Sequence, residues 1–142
     1  MFQNLHSMMQ TRTLLACFIL TLLVFAASCE KEEGTGGTNS ITGKVYVRDY
    51  NENFTILEEQ YTAKDEDVFI VYGDDEVYGD KTSTHLNGTY RFDYLREGKY
   101  TIFAYSEDSA NYPSSDEVAV IRQVIIKGKK KEVVAAPIVI LK

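Results

Sequence analysis

The chain has 142 residues, 44% hydrophobic, 25% charged and 12% aromatic, a globular balance that excludes disordered, collagenous and polytopic membrane classes. Its 15 Lys and Arg against 21 Asp and Glu give a net charge of −6, which argues against a generic nucleic-acid binder. After Ser28 the sequence holds one Cys (Cys29), one His (His85) and no Trp, so most metal sites and nucleophile–His dyads lack their parts.

Thr13 to Ser28 carries no charge and is shorter than the roughly 20 apolar residues a transmembrane helix needs. It fits the apolar region of a secretory signal. The stretch runs into Phe25-Ala26-Ala27-Ser28-Cys29, and small residues just before a Cys resemble the lipobox read by bacterial lipoprotein signal peptidase. That resemblance implies cleavage before Cys29 and acylation of Cys29, with residues 1–28 a signal peptide outside the fold. A start at Met1, Met8 or Met9 is compatible with it. Cys17 lies in the signal, so the mature chain has no thiol pair and its core holds the fold without a disulfide.

Glu30-Lys31-Glu32-Glu33 resembles the short acidic surface-export tag of some Gram-negative lipoproteins, which implies an outer-membrane location on the cell surface, with the periplasmic face as the other possibility. Gly34 to Ser40, rich in Gly, Thr and Ser, reads as a flexible tether. Residues 29–40 are thus expected to link the lipid to a domain over residues 41–142, across roughly 18 Å for a Gly-rich coil.

From Ile41 the pattern has period two: Ile41, Gly43, Val45 and Val47 fall on one face and Thr42, Lys44, Tyr46 and Arg48 on the other, as in a half-buried strand. Asp49 to Asp67 reads as a long polar connection with room for an extra hairpin through Phe54 to Tyr61. Val68 to Tyr72 is a continuous apolar run of core-strand length, and a strand is expected over Val77 to His85. Asn87-Gly88 predicts a type I′ hairpin turn, because both central residues tolerate φ > 0. Strands follow at Thr89 to Tyr94 and Lys99 to Ser106, then a loop over Glu107 to Glu117. A last hairpin is expected from Val118 to Lys127 and Lys131 to Leu141, with Pro137 favouring an edge position. About seven short strands without helical periodicity predict an all-β, antiparallel, Ig-like sandwich.

Ile41-Thr42-Gly43-Lys44-Val45, Asn87-Gly88-Thr89-Tyr90-Arg91-Phe92 and Leu95-x-x-Gly98-x-Tyr100 resemble the carboxypeptidase-regulatory-like, transthyretin-like group of sandwich domains, which includes starch-binding-like and collagen-adhesin B-type modules. The resemblance spans Ile41 to Leu141 and implies an accessory, non-catalytic module. Within it Tyr100 resembles a tyrosine corner, its ring in the core and its hydroxyl on upstream backbone.

Candidate contacts are few. All ten Tyr follow Cys29, and Tyr72, Tyr78, Tyr105 and Tyr112 near strand ends or loops offer flat rings to a glycan or a partner protein. Phe103 and Tyr105 point away from Tyr100 and Ile102, covering a sheet face or forming an apolar patch. Asp108-Ser109-Ala110 resembles a bacterial O-glycosylation acceptor at Ser109. The acidic clusters are read as solvated loops rather than Ca²⁺ ligands, and no metal or cofactor is expected. Lys127, Lys129, Lys130 and Lys131 form a basic turn that discourages edge pairing or touches anionic headgroups or polysaccharide. The expected function is a non-catalytic, lipid-anchored envelope module that binds or scaffolds another envelope protein, with surface glycan binding as the alternative.

Overall fold

A computed structural model describes residues 32–111, 113 and 116–142; the expected signal peptide, the expected lipidation site Cys29 and the candidate contact Tyr112 lie outside the described residues. Among those described there are nine strands: β1 (Thr35–Tyr50), β2 (Leu57–Thr62), β3 (Asp67–Tyr72), β4 (Asp80–Ser83), β5 (Thr89–Leu95), β6 (Gly98–Glu107), β7 (Glu117–Ile126), β8 (Glu132–Val134) and β9 (Ile138–Leu141), with one 3₁₀ turn at Ser109–Asn111. They form two sheets of four and five strands packed as a sandwich.

The four-stranded sheet runs β4-β3-β6-β7, antiparallel throughout. The five-stranded sheet is built around β1, whose sixteen residues are long enough to serve two partners on each side. Val45 shows how: its N–H donates to the Gly88 carbonyl at 2.9 Å and its carbonyl accepts from Ala63 N–H at 3.0 Å. Both groups of a strand residue point the same way, so β5 and β2 follow one another along that side. The opposite side carries β8 and then β9, both parallel to β1.

The alternation read from sequence sets the core. Ile41, Val45 and Val47 of β1, Val68 and Ile70 of β3, Tyr90 and Phe92 of β5, Tyr100, Ile102 and Ala104 of β6 and Ile138 and Ile140 of β9 are all buried. At about 25 cal/mol per Å² of apolar surface removed from water, this interior is the dominant stabilising contribution. Ser106 stitches the sheets together at one end, its Oγ accepting from Leu141 N–H at 2.8 Å. Tyr100 behaves as a tyrosine corner, its hydroxyl donating to the Arg96 carbonyl at 2.9 Å and accepting from Gly34 N–H at 3.2 Å.

Several expectations differ from the structure. There are nine strands rather than about seven, because the connection after β1 contains β2 and because Pro137, which has no N–H to donate, separates β8 from β9. The final hairpin does not form, since β7 joins the four-stranded sheet and β8 and β9 cross to β1. That crossing makes the five-stranded sheet mixed rather than antiparallel. Asn87-Gly88 turns the chain between sheets, not within a hairpin: Gly88 N–H donates to the His85 carbonyl at 2.8 Å, and of the two central residues only Gly88 has positive φ (74°). Thr35 to Ser40, expected as tether, is the start of β1, with Asn39 and Ser40 buried; its polar composition concealed side chains that bond backbone across the sheet.

Candidate functional site

The two sheets present different outer faces. On the four-stranded sheet, register places Lys81, Phe69, Phe103 and Ile121 in one row across β4, β3, β6 and β7. Tyr105 stands two residues along β6, opposite Ala119. The Phe69 and Phe103 rings stack at 5.0 Å and 14°, the cross-strand aromatic pairing expected of directly opposed residues. Tyr105 packs near-perpendicular on both, at 5.6 Å and 5.5 Å, and Tyr78 from the loop before β4 packs edgewise on Phe69 at 5.0 Å.

This cluster is not closed over. Tyr78 is 52% exposed and Tyr105 42%, and on the edge strand β7 Ile121 and Ile125 are 51% and 58% exposed. Among the described residues β7 pairs only with β6. The β4 side of the patch is polar: Asp67 accepts from Lys81 Nζ at 2.7 Å and Ser83 Oγ at 3.0 Å, and Lys81 lies 5.9 Å from the Phe69 ring centre. The hydrogen bond from Lys81, then that from Ser83, holds the Asp67 carboxyl below its ordinary range.

The outer face of the five-stranded sheet holds a hollow of about 490 Å³ lined by Thr42, Lys44, Tyr46, His85, Arg91 and Pro137 among others. Arg91 is fully engaged there: Nε bonds Asp93 at 2.8 Å, Nη2 bonds Ser40 Oγ at 2.9 Å and Nη1 pairs with Glu132. Beneath the sheet, the Tyr90 hydroxyl has no hydrogen-bond partner among the described residues, and burial pushes its phenol up to about 12 against a smaller opposing effect of Arg122.

The structure thus brings Tyr78 and Tyr105 onto one surface. Tyr72 is elsewhere: it points inward, packs edge-on against Tyr100 at 6.0 Å and is partly buried against the core, which raises its phenol along with the nearby Asp80 charge. Ser109 is exposed in the 3₁₀ turn, where Asp108 Oδ1 accepts from Ala110 N–H at 2.9 Å. Phe69 and Ile121 were missed as site residues because the run at Val68 to Tyr72 reads as core on both faces; in β7 the signal was Ile121 and Ile125 at outward positions of a strand that has no second partner among the described residues. Among the described residues no three His, Cys, Asp or Glu side chains gather as a metal site. The acids of the first cluster are instead paired, Asp65 with Lys64, Glu66 with Lys142 and Asp67 with Lys81.

No protein-family model matches the chain, and no curated protein matches it. Among solved structures, a Pseudomonas aeruginosa protein described provisionally as carbohydrate-binding is similar at 15% identity and a TM-score of 0.46, covering 82% of this chain and 94% of that one.

Proposed function

We propose that the chain is a non-catalytic, lipid-anchored module of the outer membrane, of the carboxypeptidase-regulatory-like, transthyretin-like sandwich group, that docks a partner envelope protein on the outer face of its four-stranded sheet. The observation that carries this reading is the exposed apolar cluster of Tyr78, Tyr105 and Ile121 around Phe69 and Phe103, beside an edge of β7 that is unpaired among the described residues. Contiguous apolar surface of this kind marks a contact site. A strand with one free edge adds backbone donors and acceptors to which a partner strand can pair. Arg122 stands in the way of indiscriminate pairing, since it occupies an inward position of β7 and donates to the Pro137 carbonyl at 2.8 Å.

A photo-reactive residue at Ile121 or Tyr105 in producing cells is expected to capture one dominant envelope protein, and the same residue at Lys44 on the other sheet is not. Equal capture from all three positions, or capture from none, overturns this reading. A second reading, a glycan lying on the same face, is favoured by the Tyr78 and Tyr105 rings beside the polar row of Asp67, Lys81 and Ser83. Polysaccharide binding lost in the Tyr78→Ala, Tyr105→Ala double variant, with no cross-linked protein, assigns the face to it.

A further inference from the structure

The basic turn between β7 and β8 lies at the end of the sandwich where the described chain begins. Gly98 of β6 pairs with Ile126, the last residue of β7, and Lys99 N–H donates to Glu33 Oε1 at 3.2 Å. The turn is also fastened directly to the start of β1. Lys130 N–H donates to Thr38 Oγ1 at 3.1 Å and Lys131 N–H to Asn39 Oδ1 at 2.9 Å, while Ser40 N–H donates to the Lys131 carbonyl at 2.9 Å. Asn39 is 2% exposed and its Nδ2 donates to the Leu95 carbonyl at 3.1 Å, so the end of β5, where Tyr94 is 74% exposed, lies at the same end of the sandwich across β1.

The lysines are available. Lys127, Lys129, Lys130 and Lys131 are all exposed, and among the described residues none of them makes an ion pair: the cations that do are Lys64, Lys81, Arg91 and Lys142. Glu132, which follows the turn, and Asp93 of β5 are both taken by Arg91. Lys130 has a φ of 55°, a left-handed conformation that Gly or Asn adopts at lower cost, so the turn keeps a cation where backbone geometry favours a neutral residue. Asp74, Asp75 and Glu76, in the loop after β3, and Glu97, in the turn between β5 and β6, are exposed as well.

In sequence Cys29 stands three residues before Glu32, a reach of at most about 11 Å for extended chain. We propose that the pole formed by Lys127 to Lys131 and Tyr94 is a second membrane contact, which lays the domain against the anionic phosphates of a bilayer surface. The proposal rests on the reading of Cys29 as acylated. Acyl chains hold the protein at the surface, and a cationic patch within a Debye length of it adds attraction of about fivefold in partitioning per Lys. Tyr94 supplies the ring that sits at headgroup level. Because the lysines follow β7 and Asp74 to Glu76 follow β3, with β6 between the two strands, the field pulls down the side of β7 and β8 and lifts the side of β3 and β4. The contact therefore sets a tilt as well as a strength.

The test uses the acylated protein in vesicles of phosphatidylcholine, alone or mixed with phosphatidylglycerol, with a headgroup quencher and a fluorophore on Lys129→Cys or, at the far pole, Glu52→Cys. Stronger quenching at position 129 than at 52, increased by phosphatidylglycerol and reduced by salt, is expected. The additional changes Lys127→Glu, Lys130→Glu and Lys131→Glu should return position 129 to its phosphatidylcholine level without loss of flotation. Equal quenching on both lipids, or no response to the Glu changes, overturns the proposal. Failure to float on phosphatidylcholine alone overturns the acylation reading instead, and phosphatidylglycerol-dependent flotation lost in the Glu variant then still supports the pole. Binding of the turn to soluble polygalacturonate, with no lipid-dependent quenching, overturns the membrane contact in favour of a polysaccharide.

Discussion

The outward positions of the two sheets obey the same alternation yet carry opposite chemistry. On the five-stranded sheet Thr42, Lys44, Arg48, Thr89, Arg91 and Asp93 make a mainly polar face, in which Tyr46 is half-buried and Val134 exposed, with Arg91 holding Asp93 and Glu132. On the four-stranded sheet the equivalent positions are Phe69, Phe103, Tyr105, Ile121 and Ile125. Folding demands only that the inward half of each strand be apolar, so the first face shows what this domain does where nothing further is asked of it. The second face departs from that, which is what the proposed docking of a partner would require.

The largest effect that sharpens the contrast lies along one strand. Tyr100→Ala, on the buried side of β6 at 1% exposure, is expected to cost about 3–5 kcal/mol, in line with large aromatic truncations in cores, enough to unfold a marginal domain. Phe103→Ala, three residues on and facing outward, should cost about 1 kcal/mol, the value of its aromatic pairings. Denaturant melts of the two variants read the difference. Equal losses would mean that the outer face is a second core and not a docking surface.

Next in size is the wall of the five-stranded sheet. A Cβ on Gly43 would lie 2.3 Å from the Tyr90 hydroxyl, so Gly43→Ala must displace that ring from its seat, at a cost of about 1–3 kcal/mol. A melting temperature unchanged from the parent would show that Tyr90 moves freely. On the opposite sheet Ile121→Lys should leave stability within about 0.5 kcal/mol, as for exposed positions away from special features. That substitution separates the faces by function, because cross-linking from Tyr105 is expected to vanish while the melt stays in place.

How much of this was legible in the sequence follows from the period of the strand. Ile41 to Val47 and Tyr100 to Ala104 alternate cleanly, and their inward residues follow from that alternation, whereas the tyrosine corner at Tyr100 comes from the resemblance to the sandwich group. What sequence could not supply was partnership. β1 is read as one strand, but nothing local says that it takes four partners, or that Asn39 and Thr38, polar residues in a Gly-rich stretch, bond the backbone of a turn more than ninety positions away (Lys130 and Lys131). The same blindness hid the aromatic face: Tyr78, Tyr105 and Phe69 are far apart in sequence and meet only through the register of β3 against β6. The co-location of the basic turn with the start of the described chain is likewise a product of topology.

A finer comparison separates two buried tyrosines that the core alone does not distinguish. Tyr90 and Tyr100 are each 1% exposed, but the Tyr100 hydroxyl is bonded to Arg96 and Gly34 and that of Tyr90 is bonded to nothing described. Tyr100→Phe should therefore lose about 1 kcal/mol, the net worth of a hydrogen bond, whereas Tyr90→Phe removes a polar group already stripped of water and should be neutral or stabilising by up to about 1 kcal/mol. Alkaline titration sharpens the pair. A phenol whose folded pKa is raised above its unfolded value contributes stability that is complete below the unfolded pKa, near 10, and is lost as pH rises through the folded one. Burial raises both phenols, that of Tyr90 to about 12, so the parent should lose stability steadily above pH 10. Tyr90→Phe removes the larger part of that loss. Denaturant melts at neutral and alkaline pH measure it, and an alkaline loss unchanged in Tyr90→Phe would mean that the Tyr90 phenol does not carry it.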